Sequence, residues 1–369
     1  MAKKIRLVCT AAALVPLTML AAACGSSSPS KASGSTSPST SSASSSGKEI
    51  TETGSSLLFP LFGSWQSAYS TAIPNITITS GSTGSGTGIA DASQGLVNIG
   101  ASDAYLSGKD MTQYPGLMNI PLTVAAVDVN YNVPNIKAPL DLNGTVLAGI
   151  YTGKITKWND PAIAALNKGV NLPDIPIVTL HRADGSGSTF LFTSYLNAQD
   201  PSAWPAANVN TTITWPSAPG ALAETGSGAM VSTCGTTKGC IAYIGISYQT
   251  KATAAGLGAA SLANGAGSFT QADTASINAA LASFPAAPAN GAEPLINTKA
   301  AAGYPIINYE YAVVNKTQAS AAEATAIKAF LNWIVTTGNT STYLASVDFE
   351  PLPSATASVA TTLINSISG

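Results

Sequence analysis

Charge is scarce in this sequence: Asp, Glu, Lys and Arg make up 9 % of its 369 residues. That excludes a coiled coil, whose flanking positions carry charge, and argues against a nucleic-acid binder, which shows a basic face. Histidine occurs once, as His181. A Ser-His-Asp hydrolase would have only that base, beside Arg182 and with no acid in a recognised order, and "GSGST" is not a G-x-S-x-G elbow. Four cysteines leave no set with metal-ligand spacing. Long apolar runs are missing too. "LVCTAAALVPLTML" follows the positive "MAKKIR", is broken by Pro16 and is too short to span a bilayer. With the small residues after it, it reads as an export signal over residues 1–23. Losing Lys3, Lys4 and Arg6 with that signal leaves 13 basic and 18 acidic residues, a net of −5. Local groups must hold any bound anion, because the overall field repels it weakly.

Serine, glycine and threonine are what the chain has instead. Residues 25–48 hold 13 serines in 24 positions. No core can form there, and a coil of that length reaches about 27 Å. Cys24, directly after Ala21-Ala22-Ala23, resembles a bacterial lipobox, in which the cysteine is acylated (palmitate) and becomes the new N-terminus. The expectation is a lipid anchor on the extracytoplasmic face of the cell membrane, with residues 24–48 as its tether. Cys9 leaves with the signal. Cys234 and Cys240 enclose "GTTKG", and in an exported protein this pair is expected to form a small disulfide.

From residue 49, strand and helix signals alternate. "EITETG", "ITITS", "LVNIGASDA", "LTVAAVDVNYNV", "PIVTL", "CIAYIGISY" and "PIINYEYAVVN" read as strands. Leu58, Leu61, Phe62, Trp65 and Tyr69 recur at helical spacing, as do Ile327, Phe330, Leu331 and Ile334 in a helix over roughly Ser320–Thr337. The alternation predicts an α/β fold with mostly parallel sheets. Three glycine-rich loops each follow a strand and precede a helix: "GSSLLFPLF", "SGSTGSGTGIADA" and "HRADGSGSTFLF". Helix N-termini offer unpaired N–H groups and a positive dipole end, where anions sit readily. Arg182 adds a fork of donors shaped for an oxyanion. Any single loop of this kind is more often only a loop, and "GSTGSGTG" lacks the spacing of a dinucleotide or P-loop fingerprint. Asp103, after "GAS", is equally a helix cap or turn former when taken alone.

The ordered set of motifs is similar to that of the periplasmic-type phosphate-binding proteins (PstS family) of the high-affinity phosphate ABC transporter, in their actinobacterial lipoprotein form. "VNIGASDAYLS" resembles the family's "FGASDAPLS", and "RADGSGSTFLFTSYL" resembles its "RADGSGTSFVFTSYL". "IYTGKITKWNDPAIAALN" and "PIINYEYAVVN" also fit, so the likeness covers residues 50–369. It implies a two-lobed periplasmic-binding-protein fold (type II), with two mixed sheets flanked by helices and two hinge crossovers, at "LTVAAVDVN" and "IINYEYAVVN". The first lobe would comprise residues 49–127 plus 309–369, the second 128–308. It further implies that Leu58 and Phe59 give backbone N–H groups to phosphate, Ser85 a hydroxyl, and Arg182, Ser186, Gly187 and Ser188 the opposite half. Asp184 would hold the Arg182 fork, and Asp103 would face the ligand. Two departures appear: Leu58 stands where the family often has threonine, and Ser188 replaces a threonine.

A carboxylate beside an anion makes sense if the ligand has a proton to donate. Phosphate at neutral pH has one; sulfate does not and would leave Asp103 unpaired, a mismatch that costs factors of roughly 10⁴–10⁵ in the strongest cases. The expected function is capture of inorganic phosphate and delivery to the transmembrane subunits and ATPase of an ABC permease. The expected protein is monomeric, with no enzymatic activity, cofactor, metal or nucleic-acid partner. A binding protein for sulfate, molybdate or an organophosphate, a hydrolase and a surface adhesin are the other readings.

Overall fold

The computed structural model describes residues 48–136 and 138–369. The leader, Cys24 and the tether up to residue 47 lie outside the described residues. Strands β1 to β4 span Lys48–Gly54, Ile76–Thr79, Ile99–Ser102 and Leu117–Tyr131; β5 to β8 span Asp141–Leu142, Val178–Arg182, Leu222–Glu224 and Cys240–Gly245; β9 to β12 span Gly258–Ala259, Ser261–Ala263, Phe269–Thr270 and Ile307–Asn315. β1 takes in Lys48, the last residue of the expected tether, which pairs with Ile76.

One sheet runs in the order β2-β1-β3-β12-β4-β8-β6-β7, with β9 also on β4; β11-β10-β5 form a small second sheet. β4 joins the two halves. Its first part pairs with β12 as far as Ala126, and its last five residues pair with β8. Both partners run antiparallel to it, and β12 runs antiparallel to β3. The parallel pairs, β1 with β2 and β3 and β6 with β7 and β8, lie outside this centre. The expectation of mostly parallel pairing is therefore corrected at the centre. There the strands linking the lobes run against each other, whereas right-handed strand–helix–strand connections make the flanks parallel. β4 and β12 slip register between Glu310, opposite Thr123, and Tyr311, opposite Pro121, which leaves Leu122 as the extra residue. Proline has no N–H to give the ladder, and such sites favour a bulge.

The apolar spacings feed one core that runs through both lobes. In the first lobe, helix Phe59–Ala72 buries Leu61, Phe62, Trp65 and Tyr69. Phe62 and Tyr69 meet Phe330 of helix Ala321–Trp333 at centroid distances of 5.7 and 4.9 Å. Ser320 caps that helix, accepting from the Glu323 N–H. In the second lobe, Tyr151, Phe192 and Tyr243 pack together, with Phe192 and Tyr243 stacked at 4.7 Å. Cys234, near the end of helix Gly226–Thr236, is bonded to Cys240, the first residue of β8. No described helix is long and apolar enough to cross a membrane.

Candidate functional site

Each glycine-rich loop opens a helix: Phe59–Ala72 after β1, Ser85–Ser93 after β2 and Gly187–Gln199 after β6. The lobes bring these ends together. The Gly86 N–H donates to the Gly185 carbonyl at 2.8 Å, directly from lobe to lobe. A Cβ on Gly84, whose φ is +92°, would lie 2.3 Å from Asp184 Oδ2. One on Gly187 would lie 2.5 Å from Asp103 Cβ. The glycines stand where backbone must approach backbone.

Arg182 is the one arginine after Arg6. It ends β6 with only 4 % exposure. Its Nε donates to Asp184 Oδ1 at 2.7 Å and its Nη2 to Asp184 Oδ2, a bidentate pair that fixes the guanidinium plane. Nη1 crosses the cleft to Ser56 Oγ at 3.0 Å. Asp103, at the end of β3, is 2 % exposed. It accepts from Ser188 Oγ at 2.7 Å, from Ser85 Oγ at 3.4 Å and from Ser55 Oγ. Ser186 caps helix Gly187–Gln199, accepting from the Thr189 N–H at 3.3 Å. Ser85, Asp103, Arg182, Asp184, Ser186, Gly187 and Ser188 thus converge in one closed cleft.

Leu58 and Phe59 stand at the first of these helix starts. Their N–H groups donate to Ser55 Oγ at 2.9 Å and the Ser55 carbonyl at 3.1 Å, and Leu58 is fully buried in the core. The hydroxyl reaching Arg182 across the cleft belongs to Ser56, which the motif likeness did not single out. Pro60, in the first turn, was the available signal: it sets the helix start at Phe59 and leaves both serines in the loop. A fourth helix start also went unread. Ser227 donates its N–H to Ser56 Oγ at 3.1 Å, and the Gly226 N–H donates to Asp184 Oδ1 at 3.3 Å. "TGSGAM" carried the same glycine–serine signal as the other three loops.

Glu310, on β12, is the other residue the sequence reading missed. It is fully buried, with Oε1 accepting from Asn308 Nδ2 at 2.8 Å and Oε2 lying 3.2 Å from Ser55 Oγ. Burial and then the nearby Asp103 carboxylate push its pKa well above the usual range. Ser55 Oγ lies between the two carboxyl groups, within reach of both, and the raised pKa favours the protonated form of Glu310. His181 has no nucleophile to serve: its ring stacks on Trp215 at 4.8 Å, and burial lowers its pKa. Among the described residues no group of three or more His, Cys, Asp or Glu could hold a metal ion.

A family model described as a PBP superfamily domain matches residues 34–337. A phosphate-binding protein PstS of Pasteurella multocida is 32 % identical over 306 residues, 82 % of this chain and 86 % of that protein. The chain belongs to the phosphate-binding protein PstS family. A PstS of Xylella fastidiosa is also 32 % identical, over 83 % of this chain and 82 % of its own. Among solved structures, a high-affinity periplasmic phosphate-binding protein bound with phosphate (PfluDING) aligns with a TM-score of 0.67 at 21 % identity. It covers 87 % of this chain and 99 % of that one. A phosphate-binding protein from Stenotrophomonas maltophilia gives 0.66 at 22 %, over 85 % and 93 %. At such identities these structures speak to the PstS fold alone. A PstS 3 of Mycobacterium leprae matches in part, 34 % identical over 48 % of each chain.

Proposed function

We propose that this PstS-family chain is an extracytoplasmic solute-binding protein that captures inorganic phosphate between its lobes and delivers it to an ABC permease. One observation carries the reading: Asp103, buried and ringed by hydroxyls, faces the same closed cleft as the Asp184-braced Arg182. Arg182 and the hydroxyls of Ser56 and Ser186 supply donors, with the Gly187 N–H at a helix start, and Ser85 and Ser188 turn their hydroxyl protons from Asp103 to the anion when it enters. Asp103 accepts the proton of P–OH. A fully deprotonated anion offers Asp103 only lone pairs. The names of the relatives support phosphate as the ligand.

The hinge is assigned to β4 and β12, with residues 49–127 plus 309–369 and 128–308 as the lobes. Cys24 carries the lipid, and the serine-rich tether holds a monomer within reach of its permease's transmembrane subunits. The partial mycobacterial likeness favours this actinobacterial lipoprotein form. Detergent-phase partitioning of wild type, lost in Cys24→Ser, tests the anchor.

The ligand is tested by calorimetric titration with phosphate and then sulfate near neutral pH, beside Asp103→Asn. One-to-one phosphate binding of micromolar affinity or tighter, without sulfate heat, is expected. Asp103→Asn should gain sulfate affinity. Absence of phosphate heat from folded, ligand-stripped protein would overturn the reading.

A further inference from the structure

Beside the phosphate clamp lies a cavity of ≈ 250 Å³, bounded by both lobes and by β12. Asp103 lies on the wall it shares with the clamp; Tyr105, Phe190 and Tyr311 are its aromatic walls, and Glu293 and Asn308 also face it. Tyr105 meets Phe190 edge-on at 5.4 Å and Tyr311 at 6.5 Å, so an aromatic corner closes one side. Besides the hydroxyls of Ser194, Tyr105 and Tyr311, its polar side chains are acceptors or acids. Asn308, 3 % exposed, commits its Nδ2 to Glu310 Oε1 at 2.8 Å, the Tyr309 carbonyl at 2.9 Å and the Asp103 carbonyl at 3.3 Å. Three acceptors around Nδ2 fix the amide's orientation, and Oδ1 is left buried with no partner. Glu293 adds a carboxylate. Glu293 lines the same space as the aromatic corner, and its charge, after burial, raises the phenol pKa of Tyr105. No lysine or arginine lines the space.

An unpaired buried acceptor requires a donor, a carboxylate a positive charge, and aromatic faces favour a cation. A bare calcium or magnesium ion binds through oxygens alone and has no use for aromatic walls. We propose that this cavity is a second ligand site, taking the ammonium head of a small primary alkylamine. The N–H groups reach Asn308 Oδ1 and Glu293, and the charge lies against Tyr105, Phe190 and Tyr311. The Asp103 carboxylate, held by hydroxyls, contributes only its field. Because both lobes build the cavity, its ligand favours the closed state. Its charge also offsets the repulsion between Asp103 and a phosphate on the other side. The two ligands therefore strengthen each other, and by linkage equally.

Ethylammonium chloride is the probe, titrated calorimetrically into the purified protein with and without saturating phosphate. Ethanol and tetramethylammonium serve as controls, at constant ionic strength. Saturable one-to-one binding of ethylammonium, tightened several-fold by phosphate and absent for ethanol, is expected. Tetramethylammonium, with no N–H for Asn308, should bind more weakly. Glu293→Gln, at a partly buried position outside the phosphate clamp, should lose about tenfold in ethylammonium affinity while binding phosphate as wild type. Tyr105→Leu should also weaken ethylammonium. No saturable ethylammonium heat in protein that binds phosphate, or affinity unchanged in both variants, overturns the site. Ethylammonium heat with no phosphate heat would support this cavity while overturning the phosphate reading.

Discussion

Asp128 is a carboxylate with nothing to hold it: both oxygens are buried on β4 without a hydrogen-bond partner. Burial, and then the charge of Asp348, pushes its pKa up to about 7. In the unfolded chain the value is about 3.9. Between those values the folded state binds the extra proton, so stability is lost as pH rises through the window. Asp128→Asn cannot ionise. It should match wild type near pH 4 and exceed it at pH 8 by on the order of 2–4 kcal/mol. Urea midpoints at the two pH values check this; no difference at pH 8 would mean that the carboxylate finds a partner. Glu310 poses the opposite test. If it already carries a proton, Glu310→Gln keeps the neutral form, and phosphate affinity near pH 7 should stay within about threefold of wild type. Asp103→Asn, which removes the acceptor itself, should change sulfate discrimination. Calorimetry on the two variants side by side separates the roles, and a large loss in Glu310→Gln would place the charge on Glu310.

At the scale of elements, the bond between Cys234 and Cys240 ties helix Gly226–Thr236 to β8, and that helix presents Ser227 to Ser56. Closing so short a loop removes only a little unfolded-state entropy. The double change Cys234→Ser with Cys240→Ser should lower stability by about 2 kcal/mol. Phosphate affinity should fall with it only if the helix start shifts. Denaturation and titration of the same sample separate the two effects. The elements themselves were largely legible. Apolar spacing located helices Phe59–Ala72 and Ala321–Trp333, and β-rich runs located β4, β8 and β12. The buried acids were not legible. In "AAVDVN" and "NYEYAVV" the acid falls where an alternating strand would face water. β4 and β12 are buried on both faces, so alternation carries no such meaning for Asp128 and Glu310. The place of Ser56 was illegible for a similar reason. Motif likeness located the loop, but the core's demand for Leu57 and Leu58 decides which side chains turn inward and leaves the serines at the cleft.

At the scale of the whole molecule, capture depends on how closely the lobes can meet. Gly187 opens helix Gly187–Gln199, where it touches Asp103 of the other lobe. A methyl group there would lie 2.5 Å from Asp103 Cβ and 2.8 Å from the Ala104 N. Neither neighbour is the free end of a flexible side chain, so the lobes must separate to admit it. Separation lengthens the Ser188–Asp103 and Arg182–Ser56 contacts together, because one rigid movement controls both. The helix itself has no objection, since alanine is the better helix former by about 1 kcal/mol. Gly187→Ala should therefore leave the unfolding midpoint of the ligand-free protein unchanged or slightly raised. Its phosphate affinity should fall by at least about tenfold, some 1.4 kcal/mol. The loss should appear as faster release, since the open state still meets phosphate at the same rate. Stopped-flow kinetics with a phosphate jump measures both steps. Unchanged release would show that the lobes do not have to come this close to hold the ligand.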